Sequence, residues 1–166
     1  MPPRIARYMR TAELPSPCLV VDVDLVAHNY RMLAGALPGA RIFYAVKANP
    51  APEILARLAG LGACFDAASL GEIELCLSLG VGPERISFGN TIKKQSDIAA
   101  AFARGVRLFA FDSAGELAKL AESAPGAMVY ARVLMDGAGA DWPLSRKFGC
   151  EPAMAEELLA EAAARG

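Results

Sequence analysis

Five short runs of apolar and aromatic residues recur along the chain. They are Ile42-Phe43-Tyr44-Ala45-Val46, Ala63-Cys64-Phe65, Arg85-Ile86-Ser87-Phe88, Arg107-Leu108-Phe109-Ala110-Phe111 and Met128-Val129-Tyr130-Ala131-Arg132-Val133-Leu134. Their starts lie 21 or 22 residues apart. Continuous apolar runs of this length predict strands buried on both faces, and therefore parallel. Helical patterns fill the intervals. Pro52 opens one that carries Ile54, Leu55 and Leu58, with proline where a first turn tolerates it. Ser69-Leu70-Gly71-Glu72 and Ser113-Ala114-Gly115-Glu116 both match the capping box, in which serine and glutamate satisfy each other's orphan amides. Gly80 and Gly105 follow apolar stripes as C-terminal caps. A last helix is predicted over residues 151–165. Ahead of the repeats, Cys18-Leu19-Val20-Val21 predicts a strand, and Asp24 caps a helix whose stripe is Val26, Tyr30, Leu33 and Leu37.

The expected architecture is α/β, with a leading strand and helix in residues 1–40 and five βα units in residues 41–166. A doubly wound sheet and a (β/α)8 barrel both begin this way. The strand ends favour the barrel. The predicted strands stop at Lys47, Asp66, Asn90, Asp112 and Asp136, and a barrel gathers its C-terminal strand ends around one site. Five units do not close a barrel that needs eight, so the expectation is a partial barrel from the N-terminal part of a longer protein.

Composition narrows the class. The 166 residues carry a net charge of −1, 54% hydrophobic and 21% charged residues, and a mean hydropathy of +0.31. That balance supplies a core and argues against disorder. A near-neutral chain lacks the basic footprint of a nucleic-acid binder. Charge-free stretches never exceed nine residues, well short of the ~18 needed to span a membrane. No secretory leader is legible at the N-terminus, so a cytoplasmic location is expected. Cys18, Cys64, Cys76 and Cys150 show no paired spacing; they read as reduced, buried thiols rather than metal ligands. The lone His28 reads as a surface residue, and no metal site is expected.

Lys47 is the foremost chemical candidate. It follows an apolar strand directly, so its amine stands at the barrel mouth. A lysine partly desolvated there has a lowered pKa and attacks carbonyls to form a Schiff base; the bland alternative is a solvated lysine ending a strand.

The string Phe43-Tyr44-Ala45-Val46-Lys47-Ala48-Asn49 resembles the lysine segment of the pyridoxal-phosphate-dependent decarboxylases with an alanine-racemase-like barrel. Ornithine, diaminopimelate and biosynthetic arginine decarboxylases are members. The resemblance continues through Phe65-Asp66-Ala67-Ala68-Ser69-Leu70-Gly71-Glu72-Ile73 and Pro83-Glu84-Arg85-Ile86-Ser87-Phe88-Gly89-Asn90-Thr91-Ile92-Lys93. It ends with Phe111-Asp112-Ser113 and Ser145-Arg146-Lys147-Phe148-Gly149, having covered residues 17–149. Residues 136–144 look most like bacterial ornithine decarboxylases.

The resemblance implies pyridoxal 5'-phosphate held as a Schiff base by Lys47, which later helps to protonate the product carbon. It implies that Asp66 lies close to the cofactor, that Arg132 points into the barrel beneath it, and that Lys147 reaches a partner subunit in a head-to-tail homodimer. For Asp66 and Arg132 a buried ion pair stays open as the alternative, and Glu72 serves either the site or its capping box. The implied reaction is decarboxylation of L-ornithine to putrescine and CO2 in polyamine biosynthesis. The alternatives are another basic amino acid, such as lysine or diaminopimelate, or a non-catalytic regulatory homologue. The ring-stacking histidine, phosphate loop and substrate-reading residues of that family have no match in this sequence.

Overall fold

The structure, a computed structural model, describes residues 1–135, 139, 141 and 147–166. The five expected strands form one parallel sheet: β1 (Phe43–Ala45), β2 (Cys64–Ala67), β3 (Ile86–Phe88), β4 (Leu108–Phe111) and β5 (Met128–Ala131). They lie in chain order, β1-β2-β3-β4-β5. A doubly wound sheet reverses direction at a switch point; consecutive order is that of barrel staves. The partial (β/α)8 arrangement is therefore what forms.

Register decides which side chains share a face. Phe65 pairs with Ile86, Ala67 with Phe88, Phe88 with Phe109, and Phe109 with Val129. These residues make the outer face, under the helices, where Phe65, Phe88, Phe109 and Phe111 are each at most 1% exposed. The alternate positions, Asp66, Ser87, Ala110 and Tyr130, face the other side. One face is a dry core; the other carries the polar groups.

Helices α3 (Pro52–Ala59), α4 (Leu70–Ser78), α5 (Gln95–Ala103) and α6 (Ala114–Ser123) cover the outer face, each following its strand. α3 starts at proline and buries Ile54, Leu55 and Leu58. α7 (Pro152–Arg165) packs on α6 and β5. Ser69 and Ser113 cap as expected, each accepting a backbone N–H from the glutamate three residues on, at 3.3 Å. The glutamates do not return the bond to the capping serine. Glu72 Oε2 accepts from Ala68 N at 2.6 Å, and Glu116 turns inward to Lys93. Gly80 (φ +79°) and Gly105 (φ +94°) close α4 and α5 in the left-handed conformation. The residues after them, Val81 and Val106, donate back to the Cys76 and Ala101 carbonyls.

The N-terminal part differs from expectation. Cys18-Leu19-Val20-Val21 is irregular, not a strand. A strand exists only where a neighbour takes its amides and carbonyls, and this run has no ladder partner among the described residues; Leu19 is 80% exposed. Cys18 is accordingly exposed, while the other three thiols are buried. A helix that the apolar pattern did not announce, α1 (Pro3–Thr11), precedes it and buries none of its side chains. The cap of α2 (Val23–Ala36) is Asp22 rather than Asp24: Asp22 Oδ1 accepts from the Asp24 and Leu25 amides at 3.0 and 3.3 Å. Asp24 instead pairs with Arg4 at 2.6 Å. On α2, Val26 and Tyr30 pack against the core, whereas Leu33, and Leu37 just past the helix end, stand exposed. His28 is exposed, as expected. The expected strand end at Asp136 lies outside the described residues.

Candidate active site

The chemistry gathers where the strands end. β1 runs into a single 3-10 turn, Val46–Ala48, that buries Val46 and leaves Lys47 exposed. Sequence reasoning places this amine partly desolvated; the structure places it in solvent, because the described residues build no wall over it. Asn49 Oδ1 accepts from Ala51 N at 3.1 Å and so sets the turn into α3.

Asp66 sits on β2, half-buried. Burial pushes its carboxyl above the ordinary carboxylate range. Opposing that, in falling order, are the Ser87 hydroxyl, the Lys47 ammonium and, weaker than the raising influence of Glu72, the Arg132 guanidinium. The structure thus brings Lys47, Asp66 and Arg132 into one electrostatic neighbourhood. Asp66 is not in a salt bridge with either cation within 4 Å among the described residues, so the tight ion-pair alternative is not what forms.

Gly89, at the end of β3, explains where the carboxylate lies. A Cβ built on Gly89 would come within 1.9 Å of Asp66 Oδ1. The carboxylate occupies the space a side chain would need. Arg132 follows β5, is exposed, and lies 5.3 Å from the centroid of the Phe148 ring. That contact fixes one side of the guanidinium by cation–π attraction. Lys147 is exposed and adjoins Phe148 in sequence. Residues 142–146 and most of 136–140, which carry the ornithine-type signature, lie outside the described residues.

Glu72 serves the backbone. Its N–H is held by Ser69 and its carboxylate by Ala68, so the capping alternative accounts for its placement. It also helps burial to push the Cys76 thiol up to about 11. Two residues of the inner face were not singled out by sequence, Ser87 and Tyr130, whose hydroxyl oxygens are 2.9 Å apart. Their signal was a polar atom at the inward position of an otherwise apolar strand.

The donor set fits an aldehyde-bearing, anionic cofactor. Lys47 supplies a free primary amine, Arg132 a cation, and Asp66 a partly desolvated carboxylate on the same face. Among the described residues no cluster of three or more histidine, cysteine or acidic side chains could hold a metal. Among the described residues no helix is long and apolar enough to cross a membrane. A cavity of about 770 Å³ lies between α1 and residues 18–24, away from all three residues; strand ends and charge, not cavity size, place the site.

Known proteins agree. The family described as "Pyridoxal-dependent decarboxylase, pyridoxal binding domain" matches residues 23–166. A lysine/ornithine decarboxylase of Selenomonas ruminantium is 42% identical over 146 residues, 88% of this chain and 37% of that protein. An ornithine decarboxylase of Caenorhabditis elegans is 36% identical over 159 residues, 96% of this chain and 38% of the relative. The crystal structure of a lysine/ornithine decarboxylase from Vibrio vulnificus, complexed with putrescine, superposes with a TM-score of 0.82 at 31% identity. It covers 98% of this chain and 42% of that one. The chain thus spans well under half the length of these relatives. Lysine-bearing turn, consecutive parallel staves and sequence agree on one assignment: this chain belongs to the family of the pyridoxal-binding domain of pyridoxal-dependent decarboxylases.

Proposed function

We propose that the intact protein decarboxylates L-ornithine to putrescine with pyridoxal 5'-phosphate, in the cytoplasm and as a head-to-tail homodimer in which Lys147 meets the partner. The observation that carries this reading is the free Lys47 amine at the end of β1, on the same side of the sheet as Asp66 and Arg132. When bound, the cofactor supplies an electron sink for the pair left on Cα as carbon dioxide departs.

The chain's own residues do the rest. Lys47 would hold the cofactor through its Nζ and, once displaced by the substrate amine, would return a proton to Cα. Asp66 supplies a carboxylate in the electrostatic neighbourhood of Lys47. Arg132 sets a fixed positive charge on the same face, restrained by Phe148. Retention of Lys47 and Asp66 supports a catalyst over a non-catalytic regulator. A second reading is favoured by the lysine/ornithine relatives, in which the same site also accepts lysine and releases cadaverine.

Reduction of the intact protein with borohydride in the presence of pyridoxal phosphate tests the site. The cofactor is expected on the peptide containing Lys47, and mapping to another lysine would overturn the assignment. Putrescine release from ornithine is expected to exceed cadaverine release from lysine. Equal or greater lysine turnover would replace the ornithine reading with the second one.

A further inference from the structure

Ser87 and Tyr130 belong to neither the lysine turn nor the charged residues Asp66 and Arg132, yet they share the inner face with Asp66. Ser87 is 2% exposed, on β3. Tyr130 is on β5 and stands opposite Ala110 of the intervening strand. Alanine leaves space for the phenol ring to pass over β4, and Tyr130 Oη reaches to 2.9 Å from Ser87 Oγ. On its other side Ser87 is the register partner of Asp66. Paired residues on adjacent parallel strands present their side chains to the same face, about 4.8 Å apart.

The direction of the hydrogen bonds follows from what each group can do. An ionised carboxylate only accepts. Ser87 Oγ can therefore accept from Tyr130 and keep its own proton free for Asp66, its register partner on the same face. Tyr130 keeps its proton, because burial and the nearby Asp66 charge both raise its pKa. The row is polar from β5 to β2 with one consistent sense.

We propose that Tyr130 and Ser87 are positioning residues that hold the Asp66 carboxylate charged and fixed over Gly89, next to Lys47. The proposal rests on the pyridoxal-dependent reading of the site. Neither residue touches the reacting atoms. Their effect passes through Asp66, whose surroundings are Lys47 after β1, Glu72 on α4, Ser87 on β3, and Tyr130 and Arg132 on and after β5. Burial and Glu72 favour the protonated acid; Lys47 and Arg132 oppose them, and Ser87 is the largest opposing contribution. Without the relay, the balance moves further toward the protonated acid and Lys47 loses its anionic neighbour.

The test is a titration of Asp66 in the intact protein by carboxyl-¹³C NMR, with the signal identified through Asp66→Asn. The wild type is compared with Ser87→Ala, Ser87→Thr and Tyr130→Phe, and kcat/KM for ornithine and lysine is followed against pH. Ser87→Ala is expected to raise the Asp66 midpoint by about one unit, a ~10-fold change in proton affinity. Tyr130→Phe should raise it less, and Ser87→Thr should restore it. The acid limb of kcat/KM should follow the midpoint while the alkaline limb stays. Lower melting temperatures with an unmoved midpoint would overturn the relay, as would identical behaviour of the Ala and Thr variants. If the midpoints move but the wild type turns over neither amino acid, the relay stands and the decarboxylase reading falls.

Discussion

Asp66 shows what the site costs the fold. Its carboxyl is raised above the ordinary range chiefly by burial. A group raised in the folded state favours folding at pH values below its unfolded pKa, and that contribution is lost as pH climbs through the folded value. At neutral pH the ionised Asp66 therefore works against stability. Asp66→Asn is expected to raise the melting temperature at pH 7, with the gain vanishing below about pH 4, while turnover falls roughly 100-fold. Calorimetry at the two pH values, beside a carbon-dioxide release assay, checks both halves. Gly89→Ala tests the space under that carboxylate. The new methyl would lie 1.9 Å from Asp66 Oδ1, so the carboxylate must turn away. Cofactor affinity is expected to drop roughly 10-fold with little change in melting temperature, read by cofactor titration and thermal unfolding. Of these residues, Lys47 and Asp66 were legible in sequence because a charge ends an apolar run, whereas Arg132 was legible only through the family resemblance. Ser87 and Tyr130 were not. A single hydroxyl within Ile86-Ser87-Phe88 or Val129-Tyr130-Ala131 looks like ordinary strand composition until register shows that both face inward.

Among the elements, the loop from β3 to α5 is held by a buried charge. Lys93 has a fully buried side chain, and its ammonium donates to the Asn90 and Ala110 carbonyls at 2.9 and 2.6 Å. It also pairs with Glu116 at 2.9 Å, and Glu116 in turn meets Lys119 at 2.6 Å. All three ammonium protons are used, which makes this an anchor rather than a reactive amine. Lys93→Met would leave Glu116 buried with one partner fewer, at a cost of about 3–5 kcal/mol. Urea unfolding should show that loss, and replacing Glu116 by Leu in the same chain should recover most of it. The elements themselves were legible to different degrees. The strand starts follow from a spacing that register enforces, since a slip of one residue would turn the phenylalanines of the outer face inward. α1 was missed because it buries nothing, so no apolar stripe had to be written into it. Cys18-Leu19-Val20-Val21 was misread for the opposite reason. It is apolar enough for a strand, but pairing is decided by a neighbour and not by the segment itself.

In the whole molecule, the sheet ends at strands with one neighbour each. β5 pairs only with β4 among the described residues, and Met128 on it is 59% exposed. An unpaired strand with apolar side chains recruits other strands. Residues 1–166 expressed alone are expected to associate increasingly with concentration, which sedimentation velocity would show; a monodisperse monomer at all concentrations would count against it. The consecutive order of the staves has a consequence for biosynthesis. Register partners in successive ladders lie only 20 or 21 residues apart in the chain, as in Phe43 with Cys64, Phe65 with Ile86, Ser87 with Leu108, and Leu108 with Met128. Among the described residues no ladder waits for distant sequence, so loop closure is inexpensive at each of these steps. A nascent chain leaving the ribosome can dock each βα unit onto the one before it, in the order of translation. Protection from protease on stalled chains should then grow in steps of one unit, and the ribosome would release a sheet already assembled from its N-terminal side.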